Sequence, residues 1–171
     1  MPRRIQASGL LLALALLAAG CSSPDPQAEL AMSDVEGYWA VETSVGETQY
    51  IAPVVRFTVS NKGRKAHRSV QATATFRRQG EDQAWSSAWQ VISPVDGKPL
   101  APGERRLVVL KPDGEGRYHS TGAPESMFQH PLFKDVTVDV FLRVGSSPWS
   151  KFATVAVERR IGPRAAASPK P

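Results

Sequence analysis

The sequence predicts an all-β protein: a sandwich of two antiparallel sheets with about seven strands and one short crossover helix. Three observations predict it. Apolar residues recur at every second position through most of the chain, the period of a strand with one buried and one wet face. Clusters of Gly, Asn, Asp, Ser and Pro interrupt these runs every ten or so residues. The length, 171 residues with 14 Pro, 13 Gly and one Cys, suits one ordinary domain with flanking segments. It is too short for a (β/α)₈ barrel of about 250 residues.

Tyr38–Val45 is rich in aromatic and β-branched residues and reads as the first strand, closed by Gly46-Glu47. Val55, Phe57 and Val59 then alternate with Arg56, Thr58 and Ser60, and Asn61-Lys62-Gly63 turns the chain. Val70, Ala72, Ala74 and Phe76 alternate with Gln71, Thr73, Thr75 and Arg77. Gln79-Gly80-Glu81-Asp82 follows, then a weaker strand over Ala84–Ile92 marked by Trp85 and Trp89. Asp96-Gly97 and Pro102-Gly103 bracket a long connection. The next strand is less regular, with Leu107 and Val109 alternating with Arg106, Val108 and Leu110.

One short helix is expected over Pro124–Gln129, capped by Thr121 or Ser120, with Glu125 favourable in its first turn and Pro131 ending it. The run Met127–Phe133 is apolar for a connection and reads as a plug for one end of the sandwich. Val136, Val138, Val140, Leu142 and Val144 alternate with Thr137, Asp139, Phe141 and Arg143. Gly145-Ser146-Ser147-Pro148 turns the chain into a last strand over Trp149–Glu158.

The first residues have another character. Arg3 and Arg4 precede a 12-residue apolar run, Gly9–Gly20. At about 1.5 Å per residue that run is about 18 Å long as a helix, short of a hydrocarbon core of about 30 Å. A positive start, a short apolar stretch and small residues after it make a secretory signal. The small residues lead into the single cysteine: Leu17-Ala18-Ala19-Gly20-Cys21. This resembles the lipobox of bacterial lipoproteins. The resemblance implies a diacylglyceryl group on the Cys21 thiol and cleavage before Cys21. Ala18, Ala19 and Gly20 stand at the small positions, Ala18 where Leu is commonest. Ser22, rather than Asp, after the cysteine implies outer-membrane sorting and a domain facing the periplasm. The covalent lipid on Cys21 would be the protein's membrane partner; no other cofactor is expected. The resulting organisation is a signal peptide over 1–20, a lipidated Cys and extended tether over 21–34, a β-sandwich over 35–161, and a disordered tail over 162–171.

The strand–turn–strand unit carries Val59, Asn61 and Gly63, and the following strand opens with Leu100, Pro102, Gly103 and Glu104. In this spacing the chain resembles Ig-like or fibronectin-III-like modules of bacterial envelope proteins. These motifs are turn chemistry, so the resemblance implies an Ig-like sandwich and no activity.

The charge is +5, falling to +3 without residues 1–20. It is spread along the chain, which argues against a nucleic-acid partner. The densest stretch, Asn61–Arg68, reads as a solvated turn or as a phosphate or acidic-lipid contact. One Cys supplies neither a disulfide nor a thiolate metal cluster. There is no G-x-S-x-G and no phosphate-binding loop. His67, His119 and His130 read as surface or capping residues; with Asp113 or Glu125 the last two would make at best a weak cation site, so no metal is expected. Trp85, Trp89 and Trp149 are the candidate ligand or partner surface. Trp85 and Trp89, four apart, share a face if both lie in one strand, and fill the core or lie on a binding surface. The expected function is a non-enzymatic interaction or accessory module of the cell envelope; the alternative is a small-ligand or glycan-binding lipoprotein using exposed Trp residues.

Overall fold

A computed structural model describes residues 24–42, 48–112 and 114–163. A four-residue helix α1 (Pro26–Glu29) leads into β1 (Leu30–Val41), β2 (Gln49–Asn61), β3 (Val70–Arg78), β4 (Ser86–Ser93), β5 (Arg105–Leu110) and β6 (Tyr118–Ser120). A 3₁₀ helix (Pro124–Gln129), β7 (Val136–Val144) and β8 (Ser150–Ala156) follow. One sheet has the order β1-β2-β5, with β6 pairing the start of β2; the other has the order β4-β3-β7-β8. Every strand pair is antiparallel. Among the described residues this is an antiparallel Ig-like sandwich of seven full strands and one three-residue rung.

The core follows from the alternation. Val55, Phe57 and Val59 of β2, Val70, Ala72, Ala74 and Phe76 of β3, and Val136, Val138, Val140 and Leu142 of β7 are all buried between the sheets. Each fully buried Val, Leu or Phe contributes about 1.5–3 kcal/mol over its exposed state. β2 tolerates Pro53 because its second edge passes there from β6, paired up to Ile51, to β5, paired from Val55. A missing N–H in that gap leaves no partner unbonded.

Five expectations are corrected. The chain is ordered before residue 35: Asp25 caps α1 through Gln27 N (3.0 Å), Pro26 takes the first helical position, and Leu30 is buried. In β5 the buried residues are Val108 and Leu110, while Leu107 is 58% exposed. The short helix is 3₁₀, and its N-cap position is Ala123 and not Thr121 or Ser120. Asn61 and His67 are buried within the turn read as solvated. Gly162, assigned to the tail, donates to the Trp39 carbonyl at 2.8 Å. Cys21, Ala18, Ala19 and Gly20, the end of the first expected strand at Val45, and residues 164–171 lie outside the described residues.

Strand direction gives the sandwich two distinct ends. α1 and the loops 62–69, 94–104 and 145–149 gather at one, here the N-terminal pole. Asn61 organises it. Its side-chain N–H groups donate to the carbonyls of Lys65 (2.8 Å) and Leu100 (2.9 Å), and its Oδ1 accepts from Gly63 N. Nearby, Glu104 accepts from Ala101 N and from Arg106, with Lys98 close, and these contacts hold its carboxyl at about 2 against a small effect of burial. The opposite pole holds the expected plug. Met127 and Phe133 are buried, and Trp39, Tyr118, Phe128 and Phe133 form a ring cluster with centroids 5.0–6.3 Å apart.

Candidate functional site

The outer face of the sheet β4-β3-β7-β8 carries the side chains that alternate away from the core. Strand register places them in rows. One row runs Trp89, Thr73, Phe141, Lys151; the next runs Val91, Gln71, Arg143. Trp149, just before β8, completes the second row, with the Arg143 guanidinium 4.5 Å from its ring centroid.

These rows are joined by polar contacts. The Gln71 side-chain oxygen accepts from Trp89 Nε1 (3.3 Å) and from Arg143 Nε (3.1 Å) and Nη2 (2.7 Å). Its amide nitrogen donates to Ser69 Oγ at 3.1 Å. A continuous Trp–Gln–Arg–Trp chain therefore runs from β4 across β3 and β7 to the residue that leads into β8. With strands about 4.8 Å apart, its aromatic ends stand roughly 14 Å from one another. Trp89 is 45% exposed and Trp149 37%.

Beneath this chain the next row fixes the sheet. Asp139 is buried and accepts from Thr154 Oγ1 (2.6 Å) and Arg77 Nη1, with Lys151 Nζ at 2.6 Å. Burial pushes the Asp139 carboxyl up, but Lys151, Thr154 and Arg77 outweigh it and hold it at about 2. The carboxylate is ionised at neutral pH and its oxygens are occupied, so it serves as a brace and not as a proton carrier. At the β4 side an open hollow of about 470 Å³ is lined by Thr73, Trp85, Ser86, Ser87, Trp89 and Glu115 among others.

The expected tryptophan pair is divided. Trp89 faces solvent from β4. Trp85 precedes the strand, is half-buried, stacks on Tyr118 at 5.2 Å and lies under Arg78. Both still border the hollow. His119 is exposed and packs near Tyr50, His130 Nδ1 accepts from Leu132 N, and His67 faces Glu29 at 3.1 Å. Among the described residues no three His, Cys, Asp or Glu gather as a metal-binding group, and Asp113 lies outside them. No helix among the described residues is long and apolar enough to cross a membrane. Gln71, Phe141 and Arg143 escaped the sequence reading as site residues. Their only signal was position on the polar phase of two strands, and their union depends on a register that alternation does not reveal.

No family model matches the chain, and no curated protein matches it. A crystal structure described as that of an ApaA protein from Bordetella pertussis aligns with 80% of this chain and 96% of its own, at 15% identity and a TM-score of 0.41. An X-ray structure of a structural genomics target aligns with 78% of this chain and 86% of its own, at 8% identity and a TM-score of 0.39.

Proposed function

We propose that this protein is a lipid-anchored module of the bacterial cell envelope. It binds a partner protein through the outer face of β4-β3-β7-β8 and carries out no reaction of its own. The observation that supports the reading best is the Trp89–Gln71–Arg143–Trp149 chain. Trp and Arg dominate the energetics of protein interfaces, and a side chain already held by hydrogen bonds loses less entropy on binding. A buried, fully engaged Asp139 beneath the face keeps it rigid. The anchor is Cys21, with its lipid as the membrane partner and the outer membrane as the favoured location.

The test is crosslinking in intact cells from a photoreactive residue at Val91, which neighbours Trp89 on the same face of β4. One specific envelope protein should be captured, and Trp89→Ala with Trp149→Ala should abolish capture while the melting temperature stays within about 2 °C. Capture that survives both substitutions would remove the face from the function. The anchor is tested separately: Cys21→Ala should abolish palmitate labelling and release the protein from membranes.

A second reading, glycan binding, draws on the hollow at Trp89, where an indole ring stands beside the hydroxyls of Ser86, Ser87 and Thr73. Under that reading Trp89→Ala abolishes binding to immobilised cell-wall oligosaccharide and Trp149→Ala leaves it intact.

A further inference from the structure

We propose that the N-terminal pole rests on the anionic phospholipid surface in which the protein is anchored, with Lys62, Arg64 and Lys65 as its headgroup contacts. The inference rests on the lipid-anchor reading for its geometry, and on the pole's own charge for its chemistry.

The geometry comes from where the chain joins the sandwich. From Asp25 onward the chain is fixed to the sandwich. The Glu29 carbonyl accepts from Lys62 N (2.9 Å) and Gly63 N (3.3 Å), and Gln27 Nε2 donates to the Lys151 carbonyl (2.9 Å). The Glu29 carboxylate meets His67 Nε2 at 3.1 Å. The fit around Gly63 is close, since a Cβ there would stand 1.9 Å from Glu29 Oε2. Only Ser22, Ser23 and Pro24 separate Cys21 from Asp25. Four peptide units reach at most about 14 Å. A tether of fourteen residues, as the sequence suggested, would let the domain wander; this one holds the pole within one to two Debye lengths of the headgroups.

The chemistry comes from the pairing of charges. Of the described Lys and Arg residues, Arg56, Arg77, Arg78, Lys98 and their like are bound in ion pairs. Arg68 donates to the Val95 carbonyl, and Arg143 is held by Gln71 and Trp149. The three cations among the described residues whose side chains have no partner are Lys62, Arg64 and Lys65. All three are exposed and lie in one loop, against the segment where the chain joins the domain. The acids of the same pole are largely engaged: Glu29 with His67, Glu104 with Lys98 and Arg106, Asp34 with Arg105. Exposed Asp25 and Asp96 remain, and Asp25 is occupied as the cap of α1. The pole therefore presents a compact positive loop towards the surface that its anchor must approach.

The experiment uses the mature-length chain carrying Cys21→Ser, so that no lipid assists binding, and sedimentation with phosphatidylglycerol–phosphatidylcholine vesicles. The protein should partition onto them, lose that binding as salt rises, and ignore vesicles of phosphatidylcholine alone. The triple variant K62Q/R64Q/K65Q should bind at least about tenfold more weakly at an unchanged melting temperature. Equal binding to neutral vesicles, no binding to anionic ones, or indifference to the triple substitution would each overturn the proposal. Palmitate labelling of Cys21 is read separately in cells, so a failed anchor and a failed headgroup contact give different results.

Discussion

Asp139 and Glu104 make opposite-looking contacts with the same consequence. One is braced by side chains across three strands, the other by a backbone N–H and Lys98 of its own loop and by Arg106 at the start of β5, and each carboxyl is held at about 2 against ordinary values of 3.8 and 4.5. A depressed folded value means that the unfolded chain takes up protons first as the pH falls. The stability these groups contribute is full above about pH 5 and is lost progressively towards pH 2. Urea denaturation across that range should show the loss, and Asp139→Asn should flatten part of it. Asn61 is the strongest single test of the N-terminal pole. Asn61→Ala leaves the carbonyls of Lys65 and Leu100 without their donor in a buried site and should cost about 2–3 kcal/mol by urea denaturation. At this scale the sequence was informative where the partner is local. The Asn61–Gly63 spacing announces its own hydrogen bond, whereas Gln71 and Arg143, 72 positions apart, meet only through pairing of β3 with β7.

Among the elements, β1 shows how a local signal was outweighed. Pro24 and Pro26 suggested an extended tether, yet Asp25-Pro26 is also a cap followed by the residue best suited to a first helical position. Composition favoured the first meaning; the burial of Leu30 selects the second. β5 was ambiguous for a simpler reason. Four apolar residues in succession, Leu107–Leu110, fit either phase, and only the sheet opposite decides that Val108 and Leu110 point inward. β1 also carries a close approach. A Cβ on Gly37 would lie 2.7 Å from the Ala156 carbonyl oxygen, a backbone atom that cannot swing aside. Gly37→Ala should therefore lower stability by about 1–3 kcal/mol, visible as a reduced melting temperature.

For the molecule as a whole, period-two alternation made the sandwich legible, because burying one face of every strand leaves few other solutions. The division of strands between sheets was not legible, since it depends on crossovers that leave no periodic trace. The exposed Trp89–Gln71–Arg143–Trp149 chain is a property of that division: its tryptophans come from the two edges of one sheet. The same assembly also sets how the molecule bears load. Beyond β8 the chain runs alongside β1 in the same direction, joined by Glu158 N to the Gly37 carbonyl (3.0 Å), Trp39 N to the Arg160 carbonyl (3.0 Å) and Gly162 N to the Trp39 carbonyl (2.8 Å). Tension between the chain entering at Pro24 and the chain leaving at Pro163 pulls these two parallel segments past each other. The three bonds then carry the force together in shear instead of opening one after another, so a pull along the molecule loads this seam lengthwise from the start.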